Sequence, residues 1–175
     1  MSLVDGLSLA AVVLAAYQVS THVLWSLGLG PDVQRTRAGY FRGIAFDAGT
    51  HALVFAALAV QGLAQGTDVP VLAWIVLGWF VAHLGYVAAS LWVPAFKRSH
   101  DISSPSLWHV SGERLAWYLL TPKVVLVFAD LGTHLATTVT LSALLPAPWS
   151  VLAVLAGPIV AAVEWSIKKP AKQAG

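Results

Sequence analysis

Histidine and carboxylate recur along this chain at a spacing that suits a metal ion or a proton relay. Gln18-Val-Ser-Thr-His22, Asp47-Ala-Gly-Thr-His51 and Asp130-Leu-Gly-Thr-His134 each place a polar residue four before a histidine, with Thr immediately ahead of the His. On a helix that spacing stacks the two polar side chains on one face, one turn apart. A further apolar run carries His83 without such a partner. Imidazole and carboxylate from several helices bind divalent metals in bundle cores. In membranes the same residue types also relay ions or protons. His22, His51, His83 and His134 are therefore the candidate metal ligands, with Asp47 and Asp130 as further ligands or catalytic bases. They could hold one metal, with the carboxylates fixing imidazole tautomers from behind, or two. Open positions on such a metal permit water activation.

The chain has no Cys and Met1 is its only methionine. That excludes disulfides, thiolate metal sites, iron–sulfur clusters and Met-ligated copper. Zinc is the default metal for His and carboxylate without sulfur, with iron close behind. A single haem b between two axial histidines stays open, whereas a two-haem arrangement needs histidine pairs at two depths.

The elements that position these residues follow from composition. The 175 residues are 58% hydrophobic and 10% charged, with a mean hydropathy of +0.75. Soluble domains carry about 25% charged residues, so ten basic and eight acidic groups cannot cover a soluble surface. The chain reads as an all-α, polytopic integral membrane bundle forming one transmembrane domain. A pI near 9.1 raises nucleic acid as a partner, but the basic residues flank apolar runs as topology signals do. The expected partners are membrane lipids, a lipid-like substrate or a larger membrane complex, and not nucleic acid. Residues 1–6 carry Asp5 and no Lys or Arg, so the positive start of a secretory signal is missing. The first apolar run is expected to be retained.

A spanning helix needs about 20 apolar residues. Five segments qualify, at about 3–29, 43–64, 69–93, 122–145 and 147–167. Gly28-Leu-Gly30-Pro31 and Gln65-Gly66-Thr67-Asp68 end the first two, and Pro70 and Pro122 suit first helical turns. Gly157-Pro158 is expected to kink the fifth. Arg35, Arg37, Arg42, Lys97, Arg98, Arg114, Lys123, Lys168, Lys169 and Lys172 all fall on one side of a five-helix alternation. The positive-inside rule then puts the N-terminus outside and the C-terminus in the cytoplasm. The long 94–121 loop, with Trp108, Trp117 and Tyr118 among charges, reads as an interfacial segment on the cytoplasmic side, either an anchor or a lid.

At a rise of about 1.5 Å per residue, His22, His51, His83 and His134 fall in one layer roughly 8 Å thick, in the cytoplasmic half. Polar groups at such depth also serve simply to bond helices together, which is the plain alternative for each residue alone. Gly49, Gly132 and Ser20 are expected where helices approach closely, as are Gly78 and Gly85 on a packing face. Thr21, Thr50 and Thr133 are expected to bond back to the preceding turn. Trp25, Trp74, Trp92, Trp149 and Trp165 read as interfacial anchors, and Glu164 as an ion pair with Lys168. The two Asp-x-Gly-Thr-His copies suggest a helix-pair repeat, helices one and two against three and four, with the fifth added and His83 matching His22.

The intramembrane His and Asp pattern resembles small bacterial inner-membrane proteins described as predicted membrane-bound metal-dependent hydrolases. The resemblance covers the first four helices and rests on Gln18, His22, Asp47, His51, His83, Asp130 and His134. It implies a bacterial inner-membrane protein whose bundle holds a metal. The expected activity is metal-dependent hydrolysis or oxidation of a lipid-like molecule. The competing expectations are a haem-binding or structural subunit of an electron-transfer complex, and an ion or proton transporter.

Overall fold

The computed structural model describes residues 2–26, 37–92 and 122–167. Its regular structure there is all helical: α1 (Leu3–Ser26), α2 (Arg37–Ala64), α3 (Val71–Trp92), α4 (Pro122–Leu144) and α5 (Trp149–Ile167). α1, α2, α3 and α5 each contain a stretch long and apolar enough to cross a membrane. A helix is the natural form for such stretches, because lipid offers the backbone no hydrogen bonds and a helix satisfies its own. The 94–121 loop and the basic tail lie outside the described residues.

The sequence places the five elements correctly and misjudges some ends. α2 starts at Arg37, six residues before the apolar run, since nothing in Arg37–Arg42 breaks the hydrogen-bond ladder when it leaves the apolar stretch. α2 stops where Gln65–Asp68 predicts. Gly66 takes a left-handed φ of 68°. Its amide donates to Leu63 O at 3.1 Å, and the Thr67 amide to Gly62 O at 2.9 Å. That paired closure needs a residue tolerant of positive φ, and glycine supplies it. α5 runs without interruption through Pro158.

α1 is the hub, packing on α2, α4 and α5, while α2 packs on α3. α3 and α4 also touch, so the first four helices close a ring, with α5 outside against α1. Small residues make this possible. Ala11, Val12 and Ala15 of α1 meet Ala57 and Leu58 of α2, Leu141 of α4 and Ala153 of α5 in one buried cluster. A Cβ on Gly157 would lie 2.7 Å from the carbonyl carbon of Ala16 and collide with the Tyr17 amide. α1 and α5 therefore cross backbone to backbone.

The other small residues behave differently. Gly49, Gly132, Gly78 and Gly85 are exposed, and a Cβ on any of them meets nothing within 4 Å. They are not the points of close approach. Gly49 and Gly132 sit two residues before their histidines, about 200° around the helix, so they face away whenever the histidine faces in.

Polarity is inverted relative to a soluble protein. Ser8, Gln18, Asp47, His51, Gln61, Asp130 and His134 are buried. Val81, Leu135, Val139, Leu155 and Ile159 are more than half exposed, a pattern suited to a hydrocarbon surround. Polar side chains pin the bundle together: Gln61 Nε2 donates to Ser8 Oγ at 2.9 Å between α2 and α1. Trp79 Nε1 donates to Thr133 Oγ1 at 3.0 Å between α3 and α4. The Tyr17 hydroxyl donates to Glu164 between α1 and α5. Glu164 thus has a partner on α1, and Lys168 lies outside the described residues.

Candidate metal centre

Each helix of the ring contributes one histidine, and the four rings converge. His51 and His134 ring centroids are 4.5 Å apart, His51 and His83 5.0 Å, and His22 and His134 5.6 Å. Asp47 and Asp130 stand among them. All six residues singled out by type and spacing thus share one site. Gln18, one turn from His22, is also buried, and its Nε2 has no hydrogen-bond partner.

Local structure aims the rings. His22 Nδ1 lies 2.8 Å from Gln18 O, His51 Nδ1 2.9 Å from Asp47 O and His83 Nδ1 2.7 Å from Trp79 O. A carbonyl only accepts, so each Nδ1 carries the proton and donates it to the turn before. Nε2 is then the ring atom turned to the middle of the bundle, and in a neutral ring it is a bare lone pair. Fixing the tautomer through the other ring nitrogen is the usual outer support of a metal-bound histidine. Trp79 stands four before His83, the position that Gln18, Asp47 and Asp130 hold before the other histidines, and this shared spacing was the signal that could have marked it. The threonines play the expected back-bonding part: Thr21 donates to Gln18 O, Thr50 to Phe46 O and Thr133 to Ala129 O.

Around the carboxylates, His134 Nε2 is 2.8 Å from Asp47 Oδ1 and His51 Nε2 is 3.1 Å from Asp130 Oδ1. His83 Nε2 is 3.3 Å from Asp47 Oδ2 and His22 Nε2 is 3.4 Å from Asp130 Oδ2. Exchanging α1 with α3 and α2 with α4 maps these contacts onto one another. Each aspartate faces the histidine of the opposite Asp-x-Gly-Thr-His segment, so the site has approximate twofold symmetry.

Asp47, His51, Asp130 and His134 are all buried, and one ligand atom from each lies within 4.8 Å of the others. This cluster can hold a metal ion. The donor chemistry fits one. His51 Nε2 and Asp130 Oδ1 are buried without a hydrogen-bond partner although they stand 3.1 Å apart; in a neutral ring with its proton on Nδ1, both are lone pairs. Two lone pairs at that range repel, and a cation between them turns the repulsion into two bonds. Two buried carboxylates also carry a desolvation cost of several kcal/mol each unless compensated by positive charge. Haem fits less well, since every histidine Nε2 already faces an aspartate oxygen at 2.8–3.4 Å.

A membrane-type helix bundle enclosing a metal-competent His/Asp cluster is thus the class that fold and site define. Comparison of the chain with protein-family models, characterised proteins and solved structures gave no significant match.

Proposed function

We propose that this protein is an integral membrane metalloprotein of the bacterial inner membrane, and that it uses a His/Asp-bound divalent metal, zinc or iron, to hydrolyse or oxidise a lipid-like substrate. The observation that carries the reading is the set of three imidazoles tied through Nδ1 to their own helices, with Nε2 lone pairs directed at two buried carboxylates. Nothing but a cation or added protons satisfies that arrangement. All five helices span the membrane in this reading, with the basic segments in the cytoplasm, so the cluster lies in the cytoplasmic half.

His51 and His134 would hold the metal with Asp47 and Asp130. When bound, such a metal lowers the pKa of water and polarises a substrate oxygen. The chain's own groups supply the rest: the aspartates accept protons, and the helix-tied imidazoles keep their orientation through a turnover. His22 and His83 are the more accessible pair, their side chains 19% and 14% exposed, so a reactant approaches from their side. An apolar groove of about 540 Å³ along α1 and α5, walled by Val13, Tyr17, Phe46, Val160 and Val163, has the lining an acyl chain would take.

The test is elemental analysis of the chain purified in mild detergent without chelator, with an optical spectrum of the same sample. Stoichiometric zinc or iron, lost in a folded His51→Ala/His134→Ala variant, is the expected result. A Soret band would move the reading to electron transfer. A folded sample with neither metal nor chromophore would leave a proton relay or helix packing.

A further inference from the structure

The two oxygens of each aspartate point to different pairs of histidines. Asp47 Oδ1 and Asp130 Oδ1 face His134 and His51, with Nε2–Oδ1 separations of 2.8 Å, 3.1 Å and, for His134 to Asp130, 3.7 Å. Asp47 Oδ2 and Asp130 Oδ2 face His83 and His22. There all four Nε2–Oδ2 separations are defined: 3.3 Å, 3.4 Å, 3.6 Å and 3.8 Å. Ligands bound about 2.0–2.1 Å from one ion are about 2.9 Å apart in an octahedron and about 3.3 Å apart in a tetrahedron. The shortest separation of each histidine, 2.8–3.4 Å, matches that scale, and the longer ones, 3.6–3.8 Å, would close by a few tenths of an ångström around an ion.

We propose that the centre is dinuclear, with Asp47 and Asp130 each bridging an inner ion on His51 and His134 to an outer ion on His22 and His83. The proposal rests on the metalloprotein reading above and extends it. A single ion in the inner half leaves the outer half unresolved. There the Nδ1 protons of His22 and His83 are committed to Gln18 O and Trp79 O. With both rings neutral, two bare Nε2 atoms would still confront two carboxylate oxygens, the same lone-pair conflict that calls for the first ion. The outer half offers the same donor set as the inner one, two imidazoles and two carboxylate oxygens, and the near-twofold symmetry pairs the donors within each half.

The halves differ in surroundings, and that divides the work. His51 and His134 are 1% exposed, so the inner ion is sealed. The outer ion sits beside the accessible pair. Two divalent ions on two aspartates leave two net positive charges, and an anionic group of the substrate approaching from the outer side would offset them. Carboxylate-bridged pairs of this kind, about 3.5–4 Å apart, clamp both oxygens of a displacement.

The experiment is zinc titration of the chelator-stripped full chain in detergent, followed by calorimetry and elemental analysis, with manganese as a paramagnetic probe. Two zinc equivalents per chain are expected, and a His22→Asn/His83→Asn variant of unchanged helicity is expected to keep one. At two equivalents of manganese the wild type should give an exchange-coupled electron paramagnetic resonance spectrum, and the variant an isolated-ion spectrum. One equivalent in the wild type would overturn the dinuclear proposal and leave the metalloprotein reading standing. Two equivalents without exchange coupling would overturn it as well, because the ions would then not share bridges. No binding at all would remove both readings.

Discussion

His51 Nε2 stands 3.1 Å from Asp130 Oδ1, both buried and neither with a hydrogen-bond partner. A residue on α2 and one on α4, 79 positions apart in the chain, thus meet through atoms that repel unless a positive charge joins them. The stability of the bundle should therefore depend on what occupies that junction.

Removing metal should destabilise the wild type. An ion that binds only the folded state, at a free concentration about a thousand times its dissociation constant, adds about 4 kcal/mol. Thermal unfolding in detergent should shift down several degrees with chelator and recover with added zinc. An Asp47→Asn/Asp130→Asn variant should show no chelator response. An identical response in wild type and variant would place any metal elsewhere.

In chelator the order should reverse. Replacing both aspartates by Asn removes two buried carboxylates, of which Asp47 has a hydrogen-bond contact to His134 Nε2 at 2.8 Å and Asp130 Oδ1 has no partner; an uncompensated buried charge costs several kcal/mol. The apo double variant should melt above the apo wild type, and the metal-loaded wild type above both. An apo variant less stable than the apo wild type would mean that the aspartates act mainly as hydrogen-bond acceptors for protonated histidines.

Gly157→Leu should separate α5 from α1. Even a Cβ at this position lies 2.7 Å from Ala16, backbone against backbone, so no side-chain rotation relieves the clash. Overpacking of this kind typically costs about 1–3 kcal/mol. A Gly49→Leu control, whose Cβ meets nothing within 4 Å, should be nearly neutral. Denaturant unfolding of the two variants side by side makes the comparison.

Thr133→Val should leave the Trp79 indole N–H, now 3.0 Å from Thr133 Oγ1, without that acceptor. An unsatisfied buried donor costs about 1–3 kcal/mol, and the half-buried Trp79 sits at the low end of that range. Because Trp79 also supplies the carbonyl that orients His83, the loss should reach the outer half of the site. Zinc titration should show a weaker second equivalent with the first unchanged. Equal weakening of both would mean that Thr133 supports the bundle as a whole.

Topology can be read by labelling, because the chain has no Cys. Asp68→Cys and Ala147→Cys, both exposed, should react with a membrane-impermeant maleimide from outside intact cells. Ala171→Cys should react only after permeabilisation. The opposite pattern would invert the orientation, and labelling of Asp68 and Ala147 from opposite sides would end the five-span alternation.

Among the described residues, the sequence alone determined the number and kind of elements, because an apolar run of about 20 residues admits few structures besides a helix. It also determined the membership of the cluster. Charged and imidazole groups are rare and costly at that depth, so nearly every one present belongs to a site or a packing contact. Helical rise then gave their common layer without knowledge of how the helices pack. The sequence could not choose which small residues carry the crossings. Gly49 and Gly157 are alike as letters, and only the pairing of α1 with α5 separates a glycine under a neighbouring backbone from one facing outward. Nor could it assign oxygens. That Oδ1 of each aspartate turns to His51 and His134 while Oδ2 turns to His22 and His83 depends on rotamers and on the ring order of four helices. These are set by packing between segments far apart in the chain, and local spacing carries no record of them.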